Sequence, residues 1–225
     1  MLTDRVLFID GEALVLDKPA GLPVDRPRDR SASVEAMLDE LTFGFQRAPH
    51  PVHRLDRDTS GCLLLARNPK AHKRFQQAFE GGAVVKHYLA VLDGVPDADT
   101  GTVDLPLAKV STREAGWRMV GSADGKPART HWRRIAAVDG RALVAFRPET
   151  GRTHQIRVHA AEGIGIAVAG DPIYGRPIAQ TLTLLHAHRL VVPRAGKPAV
   201  AAHAPLPARF TALGFAEPAA EDDGD

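Results

Sequence analysis

The sequence predicts a mixed α+β fold whose sheet is mainly antiparallel. Three observations lead there: short apolar runs of strand character recur along the chain, an Asp-Gly pair joins the first two as a hairpin, and the helical patterns do not alternate regularly with the strands. Arg5 to Ile9 and Ala13 to Leu16 form that hairpin across Asp10-Gly11. Ser33 can cap a short helix running to Leu41, with Val34, Met37, Leu38 and Leu41 on one face. Cys62 to Ala66 reads as a buried strand, and Asn68-Pro69 then opens a helix that Gly81-Gly82 closes. Tyr88 to Leu92, Thr130 to Val138, Ala142 to Arg147, Leu184 to Val192 and Ala199 to His203 are further strands. The Gly, Pro and Asp-rich stretch from Asp93 to Pro106 is the best internal break, and a connection between two lobes of one sheet explains it equally well.

Composition bounds the function. A chain of 225 residues with 44% hydrophobic content buries a real core, in one large domain or two small lobes. Cys62 is the only cysteine and lies among leucines, which suits a small buried apolar side chain in a reducing compartment rather than a disulfide or metal ligand. The sequence shows neither a leader nor an apolar run of membrane-spanning length, so a cytoplasmic protein with no membrane partner is expected. The formal charge is +2, but Glu217, Glu221, Asp222, Asp223 and Asp225 crowd the last nine residues. With those five set aside, the 27 acids become 22 against 29 Lys and Arg. A basic body suits a phosphate backbone, and the stretch 217–225 reads as a disordered acidic tail after a single domain over 1–216.

Two segments carry chemistry. In His53-Arg54-Leu55-Asp56-Arg57-Asp58-Thr59-Ser60-Gly61 a carboxylate stands between two arginines just before an apolar strand. The cations favour ionised Asp56, while Thr, Ser and Gly supply hydroxyl and backbone donors to fix the loop. In Glu149-Thr150-Gly151-Arg152-Thr153-His154-Gln155-Ile156-Arg157-Val158-His159, Gly151 permits a turn, Thr153 can cap a helix, and Gly163 is its expected stop. His154 and Arg157 then lie about one turn apart, and Asp56 is the natural carboxylate for Arg157, in a pair that is both structural and catalytic. The ten histidines lack zinc-ligand spacing, and Gly163-Ile164-Gly165 is no phosphate loop, so no cofactor is expected.

His-Arg-Leu-Asp-x-x-Thr-Ser-Gly resembles the signature of the RluA family of RNA pseudouridine synthases, and every fixed position is present. Asp17-Lys18-Pro19-Ala20-Gly21-Leu22, Lys86-His87-Tyr88, the Glu149–His159 block, Gly170-Asp171-Pro172-Ile173-Tyr174-Gly175 and Leu185-His186-Ala187 extend the resemblance in family order. Asp17 departs from it, standing where the family usually has Asn. The resemblance implies the pseudouridine synthase fold, two lobes with a central cleft, and isomerisation of uridine in ribosomal RNA, transfer RNA or both. It implies Asp56 as the essential residue, either nucleophile or base, Tyr88 stacking on the uracil and taking the C5 proton, and Arg54 filling the space left by an extruded base. Arg157 completes the catalytic set; Lys18, Lys86, Arg152 and His154 are substrate-binding candidates. No separate N-terminal RNA-binding module is expected, and the protein is expected to act as a monomer. The competing readings are a noncatalytic RNA-binding or ribosome-assembly protein and an Asp-dependent nucleoside hydrolase.

Overall fold

A computed structural model describes residues 1–112, 116–178 and 181–219. Among them the strands are β1 (Val6–Ile9), β2 (Ala13–Lys18), β3 (His50–Pro51), β4 (Ser60–Ala66), β5 (Val85–Leu92), β6 (Thr100–Asp104), β7 (Leu107–Thr112), β8 (Gly116–Gly121), β9 (Arg129–Val138), β10 (Arg141–Pro148), β11 (Leu185–Arg194) and β12 (Lys197–His203). The α-helices are α1 (Pro69–Glu80), α2 (Gln155–Val158) and α3 (Ala208–Thr211). None is long and apolar enough to cross a membrane. This is mixed α+β structure with mainly antiparallel pairing, as the sequence predicts. The chain divides into two compact units, Met1–Lys86 with His186–Pro205, and His87–Leu185 with the segment from Leu206.

In the first unit the Asp10 carboxylate makes the hairpin: Oδ1 accepts the N–H groups of Glu12 and Ala13, each at 2.8 Å. Strand β2 pairs antiparallel with both β1 and β4, and β3 adds to the far end of β4. Near its start β4 runs parallel to β11, with Ser60 opposite His186 and Gly61 opposite Ala187. All seven residues of β4 are buried, which explains why this stretch reads as a continuous apolar run. Helix α1 begins as predicted, with the Asn68 side chain accepting the Ala71 N–H at 2.9 Å and Pro69 in the first turn. It buries Ala71 and Phe75 against a core that includes Val15, Leu64, Leu190 and Val200. The segment capped by Ser33 differs in kind. Ser33 Oγ does accept the Ala36 N–H at 3.2 Å, but Glu35–Leu41 winds as a 3₁₀ helix, and apolar spacing over two turns does not separate the two.

In the second unit the strand order is β5-β10-β9-β6, antiparallel throughout. The stretch expected as a break contains β6, and the hairpin β7–β8 that follows is not foreseen in the sequence. The main core gathers Leu89, Leu143, Phe146, Ile156, Leu184 and Phe210. Helix α2 continues into a π turn, His159–Ile164, and stops at Gly165 with φ +84° rather than at Gly163. Gly163 is instead a packing position, because a Cβ there would sit 2.4 Å from Val103. At the start of the expected acidic tail the Glu217 carboxylate accepts the Leu206 N–H at 2.6 Å. Residues 220–225 of that tail lie outside the described residues.

Candidate active site

The Asp56 loop joins β3 to β4 and turns through Asp56–Thr59, closed by the Thr59 N–H on the Asp56 carbonyl at 3.2 Å. Lys18, at the end of β2, is completely buried. Its ammonium donates to the carbonyls of Pro19 (2.9 Å), Leu22 (2.8 Å) and Arg57 (3.0 Å), so its three donors tie the 19–22 turn to the Asp56 loop. Gly21 completes the tie, its N–H donating to the Arg57 carbonyl and its carbonyl accepting Arg57 Nε at 3.1 Å. With these contacts Lys18 is a residue that shapes the loop. At the exit of the loop, Gly61 has φ +104°, and a Cβ there would lie 2.2 Å from the Ala187 carbonyl oxygen. The last residue of the signature is glycine because β4 meets β11 backbone to backbone. Ser60 Oγ shares a 2.8 Å hydrogen bond with His186 Nδ1 across the same junction.

The flanking arginines have partners of their own. Arg54 is exposed and ion-pairs with Asp25, at one wall of a groove of about 520 Å³ that His50, His53, His72 and Lys73 also line. His53 stacks on Phe79 with ring centroids 4.6 Å apart, and its Nε2 accepts the Leu64 N–H at 3.0 Å. Burial, aided by the positive charge of Lys86, pushes the imidazole down to about 3, so His53 is neutral and acts as an acceptor. Burial also lowers the Lys86 ammonium and drives the Cys62 thiol up to about 12, in keeping with an inert core cysteine. Asp17, the departure from the family pattern, pairs with Arg5 at 2.9 Å; burial raises its carboxyl, against the pull of Arg5 and Lys18.

The other sequence-predicted residues belong to the second unit. Tyr88 lies on β5 opposite Phe146, half-buried at the edge of the core. Thr153 does not cap α2. The cap position is His154, in the left-handed region at φ +55°, and the turn is held by Gln155, whose Oε1 accepts from Thr150 Oγ1 (2.7 Å) and the Arg152 N–H (2.9 Å). Gln155 Nε2 donates to the Arg129 carbonyl and to Thr130 Oγ1. His159, wholly buried and lowered by burial, reaches Thr130 Oγ1 at 2.8 Å and donates to the Leu105 carbonyl at 3.0 Å. Gln155 and His159 thus latch the helix to β9. Arg152 is exposed, with Nε on the Pro127 carbonyl at 3.0 Å.

Arg157 is 6% exposed and makes a forked pair, Nε at 2.6 Å and Nη2 at 2.8 Å from the two carboxylate oxygens of Asp171. Asp171 also accepts the N–H groups of Ile173 (2.9 Å) and Tyr174 (3.1 Å). Burial opposes its ionisation most, but Arg157 and those two backbone donors together hold its carboxyl below the ordinary value. The Tyr174 ring lies under the Arg157 guanidinium at 5.1 Å, and its hydroxyl accepts the Met119 N–H and bonds His154 Nδ1 at 2.8 Å. Asp171 and Tyr174 are functional residues that the sequence does not single out beyond their place in the Gly170–Gly175 block. The signal was Asp171-Pro172-Ile173-Tyr174 itself, an Asx-type turn whose carboxylate needs a cation. Arg54, Asp56, Lys18 and Lys86 therefore belong to the first unit, and Tyr88, Arg152, His154 and Arg157 to the second.

Residues 12–162 match the RNA pseudouridylate synthase family. An uncharacterized RNA pseudouridine synthase of Zymomonas mobilis is 57% identical over 217 residues, covering 96% of this chain and 99% of that protein. The ribosomal large subunit pseudouridine synthase D of the same organism is 38% identical across 76% of this chain and 56% of its own length. The solved structure of human RNA pseudouridylate synthase domain containing 4 superposes with a TM-score of 0.78 at 26% identity, covering 93% of this chain and 91% of that one. The chain belongs to the RNA pseudouridine synthases of the RluA type. It is an isomerase acting on RNA.

Proposed function

We propose that this enzyme converts uridines of ribosomal RNA, transfer RNA or both to pseudouridine, as a cytoplasmic monomer and with no metal or nucleotide cofactor. The reading rests above all on the Asp56 loop, which is anchored at both ends by contacts that leave its backbone little freedom: Lys18 and Gly21 on one side, Gly61 on the other. A carboxylate that must meet a ribose or a base gains from such prior ordering. The names of relatives at 38% and 34% identity, ribosomal large subunit pseudouridine synthases D and C, favour ribosomal RNA among the targets.

Isomerisation breaks the bond from C1′ to N1 and joins C1′ to C5, with no redox change and no group transferred to another molecule. Asp56 is the essential group, as nucleophile or as base toward the ribose. Tyr88 stacks on the uracil and takes the C5 proton, and Arg54 fills the stack that the extruded nucleotide leaves. The carboxylate that Arg157 meets within its own unit is Asp171, where the sequence predicts Asp56, so Arg157 acts there by holding the turn of that unit. Arg54 suits that role because its partner Asp25 is itself exposed, and exchanging a surface pair for an RNA contact costs little.

Deletion of the protein from its host, with pseudouridines mapped by carbodiimide-adduct primer stops, is expected to remove one or a few sites in loops or weakly paired RNA. In tritium release from 5-labelled uridine RNA, Asp56→Asn is expected to fall at least about a thousandfold while filter binding stays within a few-fold. Turnover near the parental rate in that variant would overturn the role of Asp56. Full activity after EDTA treatment, with the RNA shown to remain folded, is expected as well. Loss of no site in the host, together with no turnover on cellular RNA, would favour a noncatalytic protein.

A further inference from the structure

The hairpin β7–β8 places a row of side chains on one face. Leu107 and Met119 are buried there with Ala128 and Val158, against the half-buried Tyr174, while Trp117, next along the same face, is 46% exposed. An indole that only completed this small core would be covered as Met119 is. Trp117 instead extends past it as a platform: its ring stacks on His154 with centroids 5.2 Å apart, and His154 in turn meets the edge of Tyr174 at 5.6 Å. His154 holds its unusual left-handed backbone at the base of this stack and is bonded to the Tyr174 hydroxyl. The platform is therefore braced on rigid groups.

Charge completes the pattern. The Lys109 ammonium, on the same face, lies 5.0 Å from the centre of the Trp117 ring. The residues of β7 and β8 include no acid. A flat aromatic face beside the Lys109 ammonium matches an unpaired nucleotide, whose base stacks and whose phosphate takes the cation. We propose that Trp117 and Lys109 form a contact for single-stranded RNA flanking the modified nucleotide, with the base on the indole and Lys109 moving from the ring to a phosphate. The proposal rests on the assignment of RNA as substrate and adds where an unpaired flank is held.

Trp117 and Trp132 are the only tryptophans, so Trp132→Phe leaves Trp117 as the sole indole reporter. Titration of that protein with an unstructured oligouridylate is expected to quench Trp117 emission saturably. Trp117→Ala is expected to weaken binding of the same oligomer about tenfold, and Trp117→Phe to keep most of it. Lys109→Ala is expected to reduce the slope of log affinity against log salt by about 0.7. On 5-labelled cellular RNA, Trp117→Ala is expected to raise KM with kcat within twofold. Saturable binding without any change in Trp117 emission would overturn the proposal even if Trp117→Ala fails to fold, because the reporter hairpin is unaltered. Normal turnover with parental KM in Trp117→Ala would also overturn it and leave the isomerase reading intact. Quenching in a protein that turns over no uridine would support the surface and count against the reaction.

Discussion

Two buried cations, Lys18 in the first unit and Arg157 in the second, do opposite things with their surroundings. Lys18 directs its three donors at backbone carbonyls and so fastens one loop to another. Arg157 meets a carboxylate in a forked pair, and that carboxylate collects two further N–H donors. In the first arrangement the partners are neutral dipoles fixed in the chain, and losing the cation leaves carbonyls that want donors. In the second, losing either partner leaves a full charge in a dry place. The penalty for an orphaned charge exceeds that for an orphaned dipole, so the two sites should respond differently to truncation even though both cations are almost fully buried.

The largest effect should come from neither charge. Gly61→Ala combines a φ of +104° with a Cβ placed 2.2 Å from a backbone oxygen, and neither strain is relieved by moving a side chain. A loss above about 4 kcal/mol, seen as insoluble or unfolded protein, is expected. A variant that melts within a few degrees of the parent would show that the β4–β11 junction can open. Next is Asp171→Ala, which strands Arg157 and should cost about 3–5 kcal/mol in denaturant unfolding. Lys18→Met, of similar volume, should cost about 2–3 kcal/mol through its three carbonyls, some of which can recover water. If Lys18→Met proves the more damaging, the stranded Arg157 charge costs less than the three orphaned carbonyls.

Acid gives the smallest effect and its sign is fixed by His53. The imidazole stays neutral in the folded chain down to about pH 3, while in the unfolded chain it takes a proton below its ordinary 6.5. Between those values the unfolded state binds more protons, so stability falls as pH falls. From pH 6.5 to pH 5 the group should account for about 2 kcal/mol of lost stability. His53→Gln is expected to flatten that part of the pH profile, because its amide can accept the Leu64 N–H without titrating. An unchanged slope in that variant would assign the acid sensitivity elsewhere, His159 being the next candidate by its burial.

The signature loop and the Thr150–His159 block stand out in the sequence because their residue types are dense in charge and turn formers over a few positions. Their partners do not stand out. Asp171 is 14 residues from Arg157, and Arg57 is 39 from Lys18; only the folded chain brings them within hydrogen-bond reach. The hairpin β7–β8 escapes a sequence reading because Leu-Ala-Lys-Val-Ser-Thr and Gly-Trp-Arg-Met-Val-Gly show little apolar alternation, their buried face being only Leu107 and Met119. The cap of α2 escapes it because Thr153 is the better local candidate, and Gln155 displaces it by contacts to β9 that local propensity does not contain.

Sequence alone determined the fold class, the hairpin at Asp10, the start of α1 and the burial of Cys62. All of these follow from interactions within a few residues or from the apolar pattern, which a chain carries with it unfolded. Tertiary structure decided which charges are buried, what satisfies them, that Gly61 must lack a side chain, and that Trp117 stands exposed on a braced stack. Those depend on close approaches between distant segments, where tenths of an ångström and the loss of water set the energy, and no local rule specifies them.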